Sequence, residues 1–304
     1  MNPIIPESEY ITKDFLNKNT EIWINPIGGY GDILMISTAL YHAYKEHGKK
    51  FNMVKRTQYS PLFKGHPAIH HIGFPPIGSI IIGTDYWSKL EFQETKYRAI
   101  EILFKIFGGT NSEHINNLYL PETEDKDSKV LLENIPWGTR SVAIAPSSES
   151  IRKMMHPIKW HLITDILRHN NYFVLQVGKA NDMHIKGAYS LLGTTSPRQL
   201  LEVIRKVNFV ITHDNFIMHA AQLVLTPAVC LFGPTLASQY GYKNQFCLQA
   251  NIEFCPHKNS CLGAKFPSNY TTPCPMNEQH CMNQFSEQQI TDIIFSNKAL
   301  TYGK

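Results

Sequence analysis

Four groups of residues carry types and spacings that chemistry needs. Gly28, Gly29, Tyr30, Gly31 and Asp32 follow a short apolar segment and precede an amphipathic one. Glycines let a backbone turn tightly and approach a ligand, and a helix start attracts negative charge. The spacing is not the Gly-x-Gly-x-x-Gly of dinucleotide folds, so nicotinamide binding is not expected. Asp32 suits two roles, a helix N-cap or a general base, because both need a carboxylate at a helix start.

Asp214, Asn215, Phe216, Met218 and His219 form the second group, with Gly233, Pro234 and Thr235 close behind. From Val210 to Thr235 the chain reads as a buried strand, a polar break at His213 and Asp214, a short apolar helix, a second strand and a Gly-Pro turn. That is a βαβ unit with its polar residues at the carboxyl ends of its strands, where open α/β sheets bind ligands. Asp214 or Asn215 also suits an ordinary helix cap, and His219 a core histidine. The third group is Ser147, Ser148, Arg152 and Lys153, followed by His156 and Lys159. Short hydroxyls and flexible cations suit a diphosphate, although a solvated basic loop has the same composition. Gly178, at the end of the strand that follows, joins this set.

The fourth group is Cys255, Cys261, Cys274 and Cys281, in the pattern Cys-x5-Cys-x12-Cys-x6-Cys, with Pro256, Pro267, Pro273 and Pro275 among them. Four thiolates can close a tetrahedral shell around zinc or iron, and so aperiodic a loop needs a staple. The spacings are wider than a Cys-x2-Cys knuckle, so free thiols or disulfides are the alternatives. His257 and His280 are substitute ligands. Asp125 and Asp127 form an Asp-x-Asp pair like those that hold a divalent ion, but they sit in a charged run that reads as solvated linker.

The elements that must position these groups alternate strand and helix. Strands are expected at 21–25, 51–54, 71–74, from 79, at 141–145, 172–177, 209–212 and 228–232. Helices are expected at 33–47, 94–107, 158–169, 197–206 and 288–296, with Ser196 and Ser286 as caps. Such alternation implies parallel sheets with helices on both faces. A domain boundary is expected near Pro136–Gly138, giving domains 1–136 and 137–304. After Thr235 the pattern loosens into the cysteine loop.

The chain has 304 residues, 43% apolar and 18% charged, with a formal charge of +4. It is long enough for two cores and too apolar for disorder. No Lys/Arg block announces nucleic acid, and no apolar run reaches the roughly 18–20 residues of a membrane span. The N-terminus lacks a basic start and apolar core of the secretory kind, so a cytoplasmic protein with reduced thiols is expected.

Set together, these pieces resemble glycosyltransferase family 9, the ADP-heptose heptosyltransferases and their relatives. The matching residues are Gly31 and Asp32, the turn His66–Ile69, the Ser147/Lys153 loop, Leu192–Ser196, and Asp214 and His219 with Leu231–Thr235. Asn215, Phe216, Gly241, Tyr242 and the cysteines resemble the autotransporter heptosyltransferase branch, whose members carry an iron held by four cysteines. The resemblance implies a glycosyltransferase-B type α/β fold, two Rossmann-like domains facing across a cleft, with a Cys-rich metal finger at 255–281. It implies that 1–136 takes the acceptor and 137–304 the nucleotide-diphosphate sugar. Transfer would be inverting and need no catalytic divalent ion. Asp32 would be the general base, a weak one whose position supplies much of the effect. Lys153, or Arg152 or Lys159 in its place, would hold the diphosphate with the Ser147 loop and the helix starting at Asn215, while Asp214 contacts donor hydroxyls. The acceptor hydroxyl could belong to a glycan, a protein or a modified DNA base, and an oligomer is compatible with the sequence. A non-catalytic nucleotide-sugar-binding protein that uses its Cys-rich finger for contacts is the alternative.

Overall fold

The computed structural model describes residues 10–122, 126–138, 140–258, 261–262, 271–276 and 280–301. The chain divides into two compact units, residues 1–123 and 124–304. This division precedes the boundary expected near residue 136, because Lys126–Glu133, which begins inside the charged run 122–129 read as solvated linker, is a helix packed within the second unit. Asp125 lies outside the described residues.

The first unit runs α1 (Lys13–Lys18), β1 (Ile22–Asn25), α2 (Tyr30–His47), β2 (Phe51–Val54), β3 (Ile69–Gly73), β4 (Ile80–Gly83), α3 (Leu90–Gln93) and α4 (Ala99–Ile106). Its four strands form a parallel sheet in the order β3-β2-β1-β4. Ile22, Trp23 and Ile24 of β1 are all buried, as expected of a parallel strand covered on both faces. Helix α2 stops at Gly48, whose φ of 71° lets its N–H reach the Tyr44 carbonyl at 2.8 Å.

The helix expected over 94–107 is shorter, Ala99–Ile106, and a separate turn of helix, Leu90–Gln93, precedes it. Thr95 has a φ of 57°, and the Arg98 N–H is captured by the Glu101 carboxylate at 2.9 Å, so the long helix starts only at Ala99. Tyr97, just before it, is 37% exposed, with the Lys105 ammonium 3.3 Å from its ring centroid.

The second unit runs α5 (Lys126–Glu133), β5 (Ser141–Ala145), α6 (Pro157–His169), β6 (Phe173–Gln176), β7 (Tyr189–Ser190), α7 (Pro197–Lys206), β8 (Phe209–His213), α8 (Phe216–Leu223), β9 (Ala228–Phe232), α9 (Ala237–Tyr240), β10 (Phe246–Gln249), α10 (Glu287–Ser296) and α11 (Lys298–Thr301). Its six parallel strands take the order β10-β9-β8-β5-β6-β7. Alternate residues Val142, Ile144, Phe209, Ile211, Val229 and Leu231 pack on Trp160, Ile163 and Leu167 of α6 and Ile290 and Ile294 of α10. Helix α7 begins as expected, with the Ser196 hydroxyl accepting from Gln199 N at 3.2 Å and the Gln199 amide oxygen accepting from Ser196 N at 2.8 Å. Strands β7 and β10 and helix α9 were not expected. They are short, and β10 presents an only partly buried Phe-Cys-Leu-Gln run with no clean alternation. Among the described residues no helix is long and apolar enough to cross a membrane.

Strand order locates the binding ends. In the second unit β5, β6 and β7 grow one way from the centre and β8, β9 and β10 the other, so the order reverses between β5 and β8. In the first unit it reverses between β1 and β4. A crevice opens beyond the carboxyl ends at such a switch point, because successive connections leave on opposite faces.

Candidate active site

In the first unit the glycine-rich turn follows β1 and the chain after β4 lies next to it. The Ile27 N–H donates to the Thr84 hydroxyl at 2.8 Å, which donates on to the Asn25 carbonyl at 3.2 Å. Gly29 is the N-cap of α2, not Asp32. Asp32 stands in the third helical position, where its Oδ2 accepts the Gly29 N–H at 2.7 Å. Its Oδ1 accepts the Tyr86 hydroxyl, also at 2.7 Å. The carboxylate is therefore held from both sides of the switch point, by a backbone donor after β1 and a side-chain donor after β4. Gly28 is needed here: its φ is 115°, and a Cβ would stand 2.4 Å from Asp32 Oδ2. Gly31 lies inside the first turn of α2.

Tyr86 and Arg56 were not anticipated. Tyr86 is buried against Trp87 and Phe92, and the Arg56 guanidinium donates to Asn25 Oδ1 at 2.6 and 3.2 Å. The signal for Tyr86 was the polar Thr84 and Asp85 directly after an apolar strand. Arg56 had no comparable signal, since it follows β2 in an ordinary turn. The His66 turn is structural: its buried ring bonds the Ser37 carbonyl at 2.9 Å and accepts the Ala68 N–H, and burial pulls the imidazole down to about 4.

In the second unit the register Ala145↔Thr212 and His213↔Leu231 brings Ser147, Asp214 and Gly233 to one edge of the sheet. Asn215 is the N-cap of α8, its Oδ1 accepting the Ile217 N–H at 2.9 Å while its Nδ2 donates to the Ser147 carbonyl at 2.9 Å. That second bond spans the β5/β8 switch point. Asp214 is 4% exposed, and the Lys153 ammonium reaches its Oδ2 at 3.1 Å. Burial works to raise the Asp214 carboxyl, but Lys153, then His219 and the nearby Thr235 hydroxyl, outweigh it and hold the group below its ordinary value. The Thr235 hydroxyl makes no hydrogen bond of regular geometry. It and the Ser147 hydroxyl are buried without partners among the described residues. Two buried hydroxyls and an ammonium around one helix start are donors for the oxygens of an anion, while the ionised Asp214 can only accept, as from a ligand hydroxyl.

The remaining expected residues divide by burial. Ser148 is half-buried beside Ser147, and Phe216 is the half-buried first residue of α8. Met218 is fully buried and its carbonyl accepts from Gln245 Nε2 at 2.8 Å. The His219 Nδ1 pairs with the Tyr242 hydroxyl at 2.7 Å inside the fold. Gly178 ends the β6 turn, which the Asp182 carboxylate closes by accepting the Lys179 N–H at 2.8 Å. His213 ends β8 rather than breaking it. It is wholly buried, its Nε2 accepts the Met155 N–H at 3.1 Å, and burial followed by the charge on Lys153 pulls it down to about 3.

Of the three cations expected to compete for an anion, only Lys153 meets Asp214. Lys159 ties down the C-terminal segment through the carbonyls of Asn283 (2.7 Å) and Phe285 (2.6 Å). Arg152, expected as a donor-binding cation, is committed to the cysteine loop. It is 6% exposed and donates to the Thr272 carbonyl at 3.1 Å, the Thr272 hydroxyl at 2.9 Å and the Cys261 carbonyl at 3.2 Å.

The four cysteines line one small cavity of about 20 Å³ together with His257, His280, Arg152 and Pro234. No group of three potential ligands among the described residues is close enough to hold an ion as placed. All four thiols are free, and burial pushes Cys281 up to about 12 and raises Cys261. Gly233, expected among the donor-binding residues, has a packing requirement, since a Cβ there would stand 2.3 Å from Met282 Sδ and 2.9 Å from Cys281 Sγ.

A family model described as glycosyltransferase family 9 (heptosyltransferase) matches residues 97–262, more than half of the chain. Comparison with curated proteins finds no match. Among solved structures the chain is similar to the iron-containing dodecameric glycosyltransferase TibC from enterotoxigenic E. coli H10407. The TM-score is 0.70 at 14% identity, over 91% of this chain and 78% of that one. TibC has also been solved in complex with ADP-D-beta-D-heptose. A family 9 glycosyl transferase from Veillonella parvula matches with a TM-score of 0.65 at 12% identity, over 97% of this chain and 99% of that one. The ADP-heptose lps heptosyltransferase II of E. coli matches with a TM-score of 0.64 at 12% identity, over 92% and 98% of the two chains.

Proposed function

Since the chain belongs to glycosyltransferase family 9 (heptosyltransferase), we propose that it moves a heptose or related sugar from a nucleoside-diphosphate donor to an acceptor hydroxyl, with inversion at the anomeric carbon. The observation that carries this reading is the Lys153–Asp214 pair at the β5/β8 switch point, with the Ser147 and Thr235 hydroxyls beside it. In this reading the donor diphosphate lies along Ser147, Lys153 and the start of α8, and Asp214 faces the donor hydroxyls. An ammonium carries three donors, so pairing with Asp214 is compatible with binding a phosphate oxygen as well.

Asp32 takes the proton from the acceptor hydroxyl as the new C–O bond forms and the bond from the anomeric carbon to the phosphate oxygen breaks. Its two hydrogen bonds fix where the carboxylate points, which matters for so weak a base. The charge that develops on the departing diphosphate is met by Lys153 and the helix start, so no catalytic divalent ion is required. An adenine nucleotide is the first donor to test, because TibC has been solved with ADP-D-beta-D-heptose.

The donor chemistry of Cys255, Cys261, Cys274 and Cys281 suits a soft structural ion, iron or zinc, that would staple the loop. TibC is described as iron-containing. The metal would supply rigidity and take no part in the transfer.

A thermal-shift screen against ADP-, UDP-, GDP- and dTDP-sugars names the donor, followed by a transfer assay in the presence of EDTA. Asp32→Asn is expected to abolish transfer while leaving nucleotide binding intact. Absence of stabilisation by every donor would remove the donor site, and full activity of Asp32→Asn would remove the base.

A further inference from the structure

Arg152 and Lys153 are adjacent in one 3-10 turn, Ile151–Lys153. At three residues per turn, neighbours point about 120° apart. Lys153 accordingly reaches the buried Asp214, while Arg152 reaches backwards into the cysteine loop. Arg152 is nearly fully buried, and its planar fork bridges two points of that loop, 261 and 272, that are far apart in sequence. It also lies 3.7 Å from the Cys261 sulfur.

The other wall of the same site has a matching brace. Thr235 sits beside Asp214, and two residues before it Gly233 packs directly on Met282 and Cys281. Pro234 lines the cysteine cavity. The cysteine loop thus supports from behind both turns that carry polar groups to Asp214.

We propose that Arg152 is a positioning residue for donor binding, anchoring the 151–153 turn to the cysteine loop so that the Lys153 ammonium is held at the donor diphosphate. This rests on the reading of Lys153 and Asp214 as donor-binding. It makes donor affinity depend on the order of a loop that itself touches no donor. Loosening the loop weakens donor binding through Arg152 on one side and Gly233 on the other.

The test measures nucleoside-diphosphate affinity by calorimetry on the full chain, using whichever of ADP, UDP, GDP and dTDP binds the wild type most tightly. Arg152→Gln is expected to weaken it about ten- to a hundredfold, the size of a lost hydrogen bond to a charged group. Thr272→Val, which removes one partner of the guanidinium and no buried charge, is expected to weaken it about two- to tenfold and keeps the test open should Arg152→Gln not fold. The deciding comparison is Arg152→Gln in a Lys153→Met, Asp214→Asn background. There it costs no further affinity if Arg152 acts through Lys153, and the full factor again if its role is only structural. Faster reaction of Cys261 with a thiol reagent in Arg152→Gln reads the loop independently of the nucleotide. Unchanged affinity in both single variants, or equal losses in both backgrounds, would overturn the proposal. Absence of binding by the wild type to any of the four nucleotides would instead overturn the donor reading beneath it.

Discussion

Replacing Lys153 by Met removes one member of a buried ion pair and leaves Asp214 behind. The side chains are 15% and 6% exposed, and breaking such a pair costs about 3–5 kcal/mol because a buried charge is left uncompensated. Lys153 keeps a little solvent, so the lower part of that range, about 3–4 kcal/mol, is expected at pH 7.5. For a unit of this size each kcal/mol lowers the melting temperature by about 2–4 °C, which gives a drop of roughly 6–16 °C in calorimetry. The pH dependence makes the prediction specific. In the wild type the Asp214 carboxyl is held below its ordinary 3.8, so its contribution is present above that pH and is lost as pH falls through the lower folded value. In Lys153→Met burial becomes the dominant influence and raises the carboxyl, so the folded state takes up a proton more readily than the unfolded one. The contribution then reverses sign, and the variant loses stability as pH rises through that window. The gap between variant and wild type should therefore be widest at pH 7.5 and narrow toward pH 4.5, and Lys153→Met combined with Asp214→Asn should recover most of it. A gap that is constant with pH, or below about 1 kcal/mol at pH 7.5, refutes the account, since it would place the pair among weak surface ion pairs.

Three further outcomes are expected. Tyr86→Phe keeps the ring between Trp87 and Phe92 but removes the donor to Asp32, so kcat should fall about ten- to a hundredfold with donor KM unchanged, and an equal change in both would point to general loosening. Burial pulls His66 and His213 down to about 4 and about 3, so both must gain a proton more readily once unfolded; stability read by urea titration should decline as pH falls from about 6.5 toward 4. Metal analysis of protein purified without chelator should find about one iron or zinc per chain, and Cys261→Ser should lose it and lower the melting temperature; wild type free of both metals would remove the structural ion.

The framework was legible because its signals are local. Val142–Ala145, Phe209–Ile211 and Ala228–Phe232 are short apolar runs bounded by polar turns, and Ser196 and Ser286 announce their helices by capping. Asp214 and Asn215 could be placed at a strand end for the same reason. The break at Thr95 was not visible, because Tyr97, Ile100 and Phe104 keep helical spacing whether or not the backbone is continuous, and a capping Glu three residues after an Arg is a weak mark. Tyr86 was hidden differently. Its partner Asp32 lies 54 residues earlier in the chain, and only the order β1-β4 brings the two turns together.

The division of labour among the cations shows why composition alone misjudges a basic loop. Arg152, Lys153 and Lys159 look interchangeable as residues near a strand end, yet each answers a different electrostatic demand. Lys159 sits in the first turn of α6, where its long stem reaches the carbonyls of 283 and 285 and fastens the segment leading into α10. Arg152 needs several acceptors at fixed angles, and only the carbonyls and hydroxyl of the cysteine loop supply them; an anionic ligand would have to compete with all of these at once. Lys153 is a point charge, and its partner Asp214 is an acid whose ionised form depends on it. A guanidinium at 153 and an ammonium at 152 would satisfy neither place: the bulkier planar fork does not fit where a compact ammonium sits 3.1 Å from Asp214 Oδ2, and the ammonium could not bridge 261 and 272 in one plane. The exchanged pair, Arg152→Lys with Lys153→Arg, keeps the net charge of the loop unchanged. It should nevertheless lose nucleotide affinity as severely as Arg152→Gln, and retained affinity would show that charge and not geometry holds the donor.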